Sequence, residues 1–265
     1  MATPELPELP ENLFGSPEPV APATAEASVT GPEAPVEAPV DAIGDVAARL
    51  ESLGIPARLL GPAFSQDVAQ HGTYAALTRA LALRLPQAPE LPNGAGEVLF
   101  VVGPGVETLR AARTLATTLR LDPHQVQWAT RGDLAGLAPE GSRITTIDAA
   151  IQRRQDAASA GSVTIVAVDA ALRTDAYWMA QMTAIWAPLA VWAVVDATRK
   201  PEDLGPWIGG LPQVDALIVQ DTDVSADPAA VLRVVDVPVA ILDGVRATPH
   251  RWASLLCERL ENTTA

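Results

Sequence analysis

Seven short apolar segments alternate with helical segments from residue 97 onward, and this alternation restricts the fold more than any other feature of the sequence. The apolar segments are rich in Val and Ile, as strands buried in a parallel sheet are. They cover residues 98–102, 126–129, 144–146, 163–169, 191–196, 216–220 and 239–242. Helices are predicted at 107–119, 174–186, 202–209, 227–233 and 249–261. The pattern predicts a doubly wound α/β domain with a central parallel sheet over residues 93–265.

Two segments of different character precede this domain. Residues 1–40 contain nine prolines and seven glutamates but no Lys or Arg, so we expect a disordered acidic, Pro-rich tail. Residues 41–92 place Leu50, Leu53, Leu77 and Leu81 at helical spacing. We expect a small helical module there that packs against the α/β domain, because its apolar stripes are too large to remain in water.

Charge and composition exclude several classes of function. The formal net charge is −14, half of it in the tail, so nucleic-acid binding is not expected. Cys257 is the single cysteine, which rules out an internal disulfide. The longest apolar run contains Pro188 and is too short to span a bilayer, and the first residues do not resemble a signal peptide. We therefore expect a cytoplasmic protein without a catalytic nucleophile or a metal site.

The first predicted strand is followed by glycines and a helix, which is the layout of a phosphate-binding loop. Counted from Gly103, the positions of the second glycine, the lysine and the hydroxyl residue hold Thr108, Leu109 and Arg110. A one-residue gap brings Glu107 and Thr108 to these places instead. The lysine that binds the β- and γ-phosphates is missing in either alignment, and Glu107 would repel a phosphate.

Several stretches resemble, in order and spacing, the GTPase domain of the signal recognition particle (SRP) family, and most of all its flagellar-type member. They read VVGPGVETLRAARTLA, VDAALR, VVDATRKPEDLGPWIGGLPQVDALIVQDTD and DGVRATP. The helical module is placed like the N domain of that family. The resemblance implies that the nucleotide-site positions are Gly103, Gly105, Asp169, Arg173, Asp223 and Gly244.

The signature residues depart from the family pattern. Ala170, Ala171 and Leu172 stand where the family has Thr-Ala-Gly, and Gln220 and Asp221 replace the threonine and lysine of its guanine-reading motif. We predict a catalytically degenerate SRP-type GTPase-like protein that acts by binding protein and needs no cofactor. The resemblance implies that its partner belongs to a membrane-associated assembly, as the partners of relatives do. The sequence also leaves open whether the protein forms a homodimer.

Two other functions are left open by the sequence. One is a nucleotide-dependent switch that binds GTP with Mg²⁺ weakly through Asp223. The other is a metal-dependent phosphohydrolase in which Asp169 and Asp196, each at a strand end, hold the metal. Strand-end aspartates also commonly cap the next turn, which is the alternative for this pair.

A further feature is a stripe of large side chains at a spacing of four residues, formed by Trp178, Met182 and Trp186. Such a stripe occurs in helices that face a core and also at the centres of protein interfaces. The three residues are therefore candidates both for the core and for a partner-binding surface.

Overall fold

The computed structural model of the protein describes residues 40–171 and 176–262, with the side chains of residues 40–44 left out. Residues 1–39 of the predicted tail and the predicted site residue Arg173 lie outside the described residues. The described segments belong to one compact unit.

An eight-stranded sheet forms the centre of the molecule. The strands are β1 Val98–Gly103, β2 Gln127–Ala129, β3 Arg143–Ile144, β4 Thr164–Asp169, β5 Ala190–Asp196, β6 Ala216–Gln220, β7 Val239–Leu242 and β8 Val245–Arg246. Their order across the sheet is β3-β2-β4-β1-β5-β6-β7-β8. All neighbours are parallel except β7 and β8, which form an antiparallel hairpin. The predicted doubly wound, P-loop NTPase-like fold is confirmed.

Helices cover both faces of this sheet. They are α1 Val40–Ser52, α2 Ala57–Leu60, α3 Phe64–His71, α4 Thr73–Arg84, α5 Gly105–Thr118, α6 Ile147–Ser159, α7 Ala176–Trp186, α8 Pro201–Gly209, α9 Val231–Val234 and α10 Pro249–Asn262. Strand β5 shows how the faces divide. Trp192 and Val194 pack on the side of α5, while Ala193 and Val195 pack on the side of the N-terminal helices and α10.

Three elements differ from the prediction: the strand β8 was not predicted, and the segments 146–163 and 227–233 differ as follows. Helix α6 lies between residues 146 and 163, where the sequence pattern predicts no helix. Helix α6 has a capped start, because the Thr146 hydroxyl accepts a hydrogen bond from the Ala149 N–H at 3.1 Å. Its apolar stripe is weak, because Ala150 is the one fully buried residue of the helix. The apolar spacing therefore did not indicate a helix there. The helix predicted at 227–233 is reduced to the single turn α9.

The N-terminal helices share one apolar core with the sheet. Leu50, Leu53, Leu77 and Leu81 are buried in the same cluster as residues of β5, β6 and β7. A backbone hydrogen bond of 3.0 Å from the Ala229 N–H to the Leu53 carbonyl also joins the two parts. The helical segment is therefore packed against the sheet, as the apolar spacing predicted.

Helix α4 offers a direct test of this shared core, because Leu77 is fully buried and Leu83, on the same helix, is 74% exposed. We expect Leu77→Ala to lower the free energy of unfolding by about 2–5 kcal/mol, through lost burial and the cavity left behind. The matched control Leu83→Ala should change it by less than about 0.5 kcal/mol. Urea denaturation measures both, and equal effects would show that the Leu77 side chain is not part of the core.

Candidate functional site

The junction between β1 and α5 stands where a phosphate-binding loop would lie. Strand β1 ends at Gly103 and α5 begins at Gly105, so Pro104 alone separates them. A phosphate loop needs several intervening residues whose N–H groups curl around the anion. The predicted site residues Gly103 and Gly105 thus lie together at this junction, but they do not enclose a phosphate-sized cradle.

Local packing explains both glycines. A Cβ on Gly103 would lie 2.7 Å from the Thr108 hydroxyl oxygen and 2.9 Å from Cβ of Val194, so a side chain there would clash. Gly105 has a φ of +65°, which L-residues with a side chain rarely adopt. The two glycines therefore permit the abrupt change from strand to helix.

Asp169 places a carboxylate at the N-terminus of α5. It ends β4 and is paired in register with Gly103 of β1. Its Oδ1 accepts a hydrogen bond from the Gly105 N–H at 2.8 Å, and its Oδ2 accepts one from the buried Thr130 hydroxyl at 2.8 Å. The positive end of a helix dipole stabilises an anion at this place. The first N–H group of α5 is thus bound by a side-chain carboxylate of the neighbouring strand.

Glu107 and Thr108, which the gapped alignment brings to the phosphate-loop positions, also make contacts within the protein. Thr108 is fully buried, and within the described residues its hydroxyl has no hydrogen-bond partner. Glu107 forms an ion pair of 2.7 Å with Arg110, one helical turn along the surface of α5. The Thr108 side chain therefore faces the protein interior, and the Glu107 carboxylate is paired within the first turn of α5.

The loop aligned with the guanine-reading motif is held by internal hydrogen bonds. The Thr222 N–H donates to Asp243 Oδ1 at 3.3 Å, and the Thr222 hydroxyl donates to the other oxygen of that carboxylate. Arg259 of α10 donates to the carbonyl of Thr222 at 2.8 Å and to the carbonyl of Asp223. Asp223 itself is exposed.

The predicted site residue Gly244 has a conformational role in the β7–β8 hairpin. Asp243 and Gly244 are the two residues between these strands, and their φ angles are +47° and +78°. An Asp-Gly pair with two positive φ angles is the preferred two-residue hairpin turn. The turn also brings the Asp243 carboxylate back over Thr222.

Asp196 caps the turn that follows its strand. Its Oδ1 accepts hydrogen bonds from the Thr198 N–H at 2.8 Å and the Thr198 hydroxyl at 2.6 Å. Both carboxylates of the considered metal pair, Asp169 and Asp196, thus bind protein groups. No group of three or more His, Cys, Asp or Glu residues suited to a metal ion occurs within residues 40–171 and 176–262.

The stripe on α7 is core. Trp178 is 5% exposed, Met182 and Trp186 are fully buried, and all three pack against one face of the sheet. Their apolar surface is covered by the sheet, which favours the core alternative over the partner-binding one. The guanidinium of Arg131 lies over the Trp178 ring, 5.0 Å from the ring centre, in a cation–π contact.

No protein-family model and no curated protein matches the sequence. Solved structures of SRP-type GTPases share the fold. The SRP receptor FtsY from Elizabethkingia anophelis in complex with GDP is 15% identical, with a TM-score of 0.57 over 81% of this chain and 84% of that chain. Chloroplast FtsY from Physcomitrella patens is also 15% identical, with a TM-score of 0.59 over 82% and 87%.

FlhF complexed with GTP and Mg²⁺ is 14% identical, with a TM-score of 0.56 over 81% of this chain and 98% of that chain. At such identities the likeness concerns the fold, which is that of the SRP-type GTPases. The similar scores do not separate the flagellar type from the receptors.

No helix in the described ranges is long and apolar enough to cross a membrane.

The Asp169 contacts predict a measurable contribution to stability. We expect Asp169→Ala to lower the free energy of unfolding by about 1–3 kcal/mol, because it leaves the Gly105 N–H and the buried Thr130 hydroxyl without their acceptor. Asp223→Ala removes an exposed carboxylate of the same edge and should cost less than about 0.5 kcal/mol. Thermal and urea unfolding measure both variants, and an unchanged stability of Asp169→Ala would contradict the arrangement.

Proposed function

We propose that this chain is a GTPase-fold protein that does not hydrolyse nucleotide and acts as a protein-binding or regulatory factor in the cytoplasm. The observation that supports the proposal most is the direct passage from β1 to α5, with the Asp169 carboxylate at the first N–H of the helix. Phosphoryl transfer depends on positive charge and precise positioning around the transferred group. A carboxylate at that position opposes both requirements.

The basic residues nearby do not replace the missing lysine. Arg110 and Arg113 lie on the flank of α5, where Arg110 pairs with Glu107 and Arg113 donates to the Leu137 carbonyl at 2.9 Å. Lys200 begins the α8 segment after β5. A chain that keeps the fold without the charge arrangement for catalysis is suited to binding another protein. By analogy with the relatives of this fold, we propose a partner from a membrane-associated assembly.

A second candidate is a switch that binds GTP with Mg²⁺ through a divergent site. A cavity of about 210 Å³ between α5 and the β6–β7 edge favours it, because Gln220, Asp243 and Gly244 of the base-reading region line that cavity. Against it stands the engagement of Asp243 with Thr222 and the absence of a phosphate cradle at Gly103–Gly105. Nucleotide binding distinguishes the two candidates.

We expect fluorescent GTP and ATP analogues with Mg²⁺ to show no saturable binding at micromolar concentrations, and phosphate release to stay at background. Fluorescence anisotropy and a phosphate-release assay measure these two quantities. Saturable micromolar binding that is lost in Asp223→Ala would favour the switch. Turnover abolished by Asp169→Asn would contradict the proposal directly.

A further inference from the structure

Exposed apolar side chains are concentrated at the carboxyl edge of the sheet. Ten large apolar side chains are exposed within the described part of the chain, and six of them lie on segments that follow the carboxyl ends of strands. These six are Val106, Leu134, Leu137, Tyr177, Val224 and Val245. Ligands of doubly wound folds bind at this edge. Exposed apolar patches often mark interaction sites, which makes this edge a candidate binding surface.

Two of the six residues, Val106 and Leu137, line a groove beside α5. The α5 groove is lined by Val106, Leu109, Arg110, Arg113, Pro123 and Leu137 and has a volume of about 330 Å³. Val106 is 41% exposed and Leu137 is 44% exposed, so aliphatic surface is available on both walls. Leu134 lies beside it, with its Cδ1 4.0 Å from the position of a Cβ on Gly105.

The segment 134–137, which brings Leu137 to the groove, is held in place by two hydrogen bonds to its carbonyl groups. The Trp128 indole N–H donates to the Leu134 carbonyl at 2.9 Å, and Arg113 donates to the Leu137 carbonyl at 2.9 Å. The side chains of Leu134 and Leu137 are thus exposed on a segment whose backbone is fixed. A preorganised surface loses less entropy on binding than a mobile one.

The charge of the groove contrasts with that of the protein. The chain carries a net charge of −14, yet the charged residues that line the α5 groove are the arginines 110 and 113. The Arg110 side chain is 66% exposed and pairs with Glu107, whose side chain is 38% exposed, so this ion pair is accessible to a competing carboxylate. A basic, aliphatic groove is complementary to an acidic segment that carries aliphatic side chains.

We propose that the α5 groove docks a peptide segment of a partner protein that combines carboxylates with a large aliphatic side chain. The aliphatic side chain packs between Val106 and Leu137, and a carboxylate binds the Arg110 guanidinium in place of Glu107. The inference rests on the proposed protein-binding function and names the surface and the chemistry of the partner.

The test uses the full chain and a phage library of random twelve-residue peptides as the probe. We expect the selected peptides to be enriched in Asp and Glu with Leu, Ile or Phe, and their affinity to fall as salt rises, because exposed ion pairs are screened. Selection of neutral or basic sequences, or no enrichment at all, would overturn the proposal.

Matched variants then locate the binding site for a selected peptide by fluorescence anisotropy. Arg110→Glu should weaken binding by about tenfold or more, because like charges then face each other. Arg251→Glu makes the same charge change at an exposed position of α10 and should have little effect. Leu137→Asp should also weaken binding, whereas Leu83→Asp on α4 should not.

Glu107→Gln gives a prediction of the opposite sign. It removes the internal competitor for Arg110 and should tighten peptide binding by about two- to fivefold, which is the range expected for an exposed ion pair. This gain does not depend on whether Leu137→Asp folds. Equal binding by Arg110→Glu and the parent would overturn the groove proposal but leave the proposed function intact, whereas tight GTP binding would remove the proposed function itself.

Discussion

The Asp169 carboxylate at the N-terminus of α5 is the interaction on which the carboxyl edge of this protein depends. It joins three neighbouring segments, because Gly105 begins α5, Asp169 ends β4 and Thr130 follows β2. A helix N-terminus with free N–H groups is a ready anion site. In this chain the first of these N–H groups, that of Gly105, binds the Asp169 carboxylate, and our proposal is that this arrangement disfavours a nucleotide phosphate.

The same principle recurs along the edge. Asp196 binds Thr198, and Asp243 binds Thr222, so the carboxylates after three strands satisfy N–H and hydroxyl groups of the loops themselves. Arg259 of α10 adds donors to the carbonyls of the loop after β6. Loops whose polar groups are hydrogen-bonded within the protein have a fixed conformation. On the same edge, the aliphatic side chains of Val106 and Leu137 are exposed. That combination supports our proposal that the edge binds protein.

Much of the fold could be predicted from the sequence, because buried parallel strands give continuous apolar runs. The strands β6 and β7 match their predicted bounds, whereas α6 was missed because its apolar stripe is weak. The glycines and Asp169 could be named as site positions, but their contacts could not. The helix starts at Gly105 because this residue adopts a positive φ and its N–H binds the carboxylate of Asp169, 64 positions further along the chain. Local sequence patterns do not predict such long-range contacts. The burial of Trp178, Met182 and Trp186 likewise depends on which face α7 presents to the sheet.

The central claim is that the Asp169 carboxylate occupies the anion position at α5. The ¹⁵N-glycine NMR spectrum of the full chain tests it most directly, because Gly105 donates to that carboxylate and its signal can be assigned by its loss in Gly105→Ala. The account predicts that millimolar GTP with Mg²⁺ leaves the Gly105 amide shift unchanged in the parent, while Asp169→Ala moves that shift without any nucleotide. A saturable change of the Gly105 shift on titrating GTP with Mg²⁺ into the parent protein would contradict it.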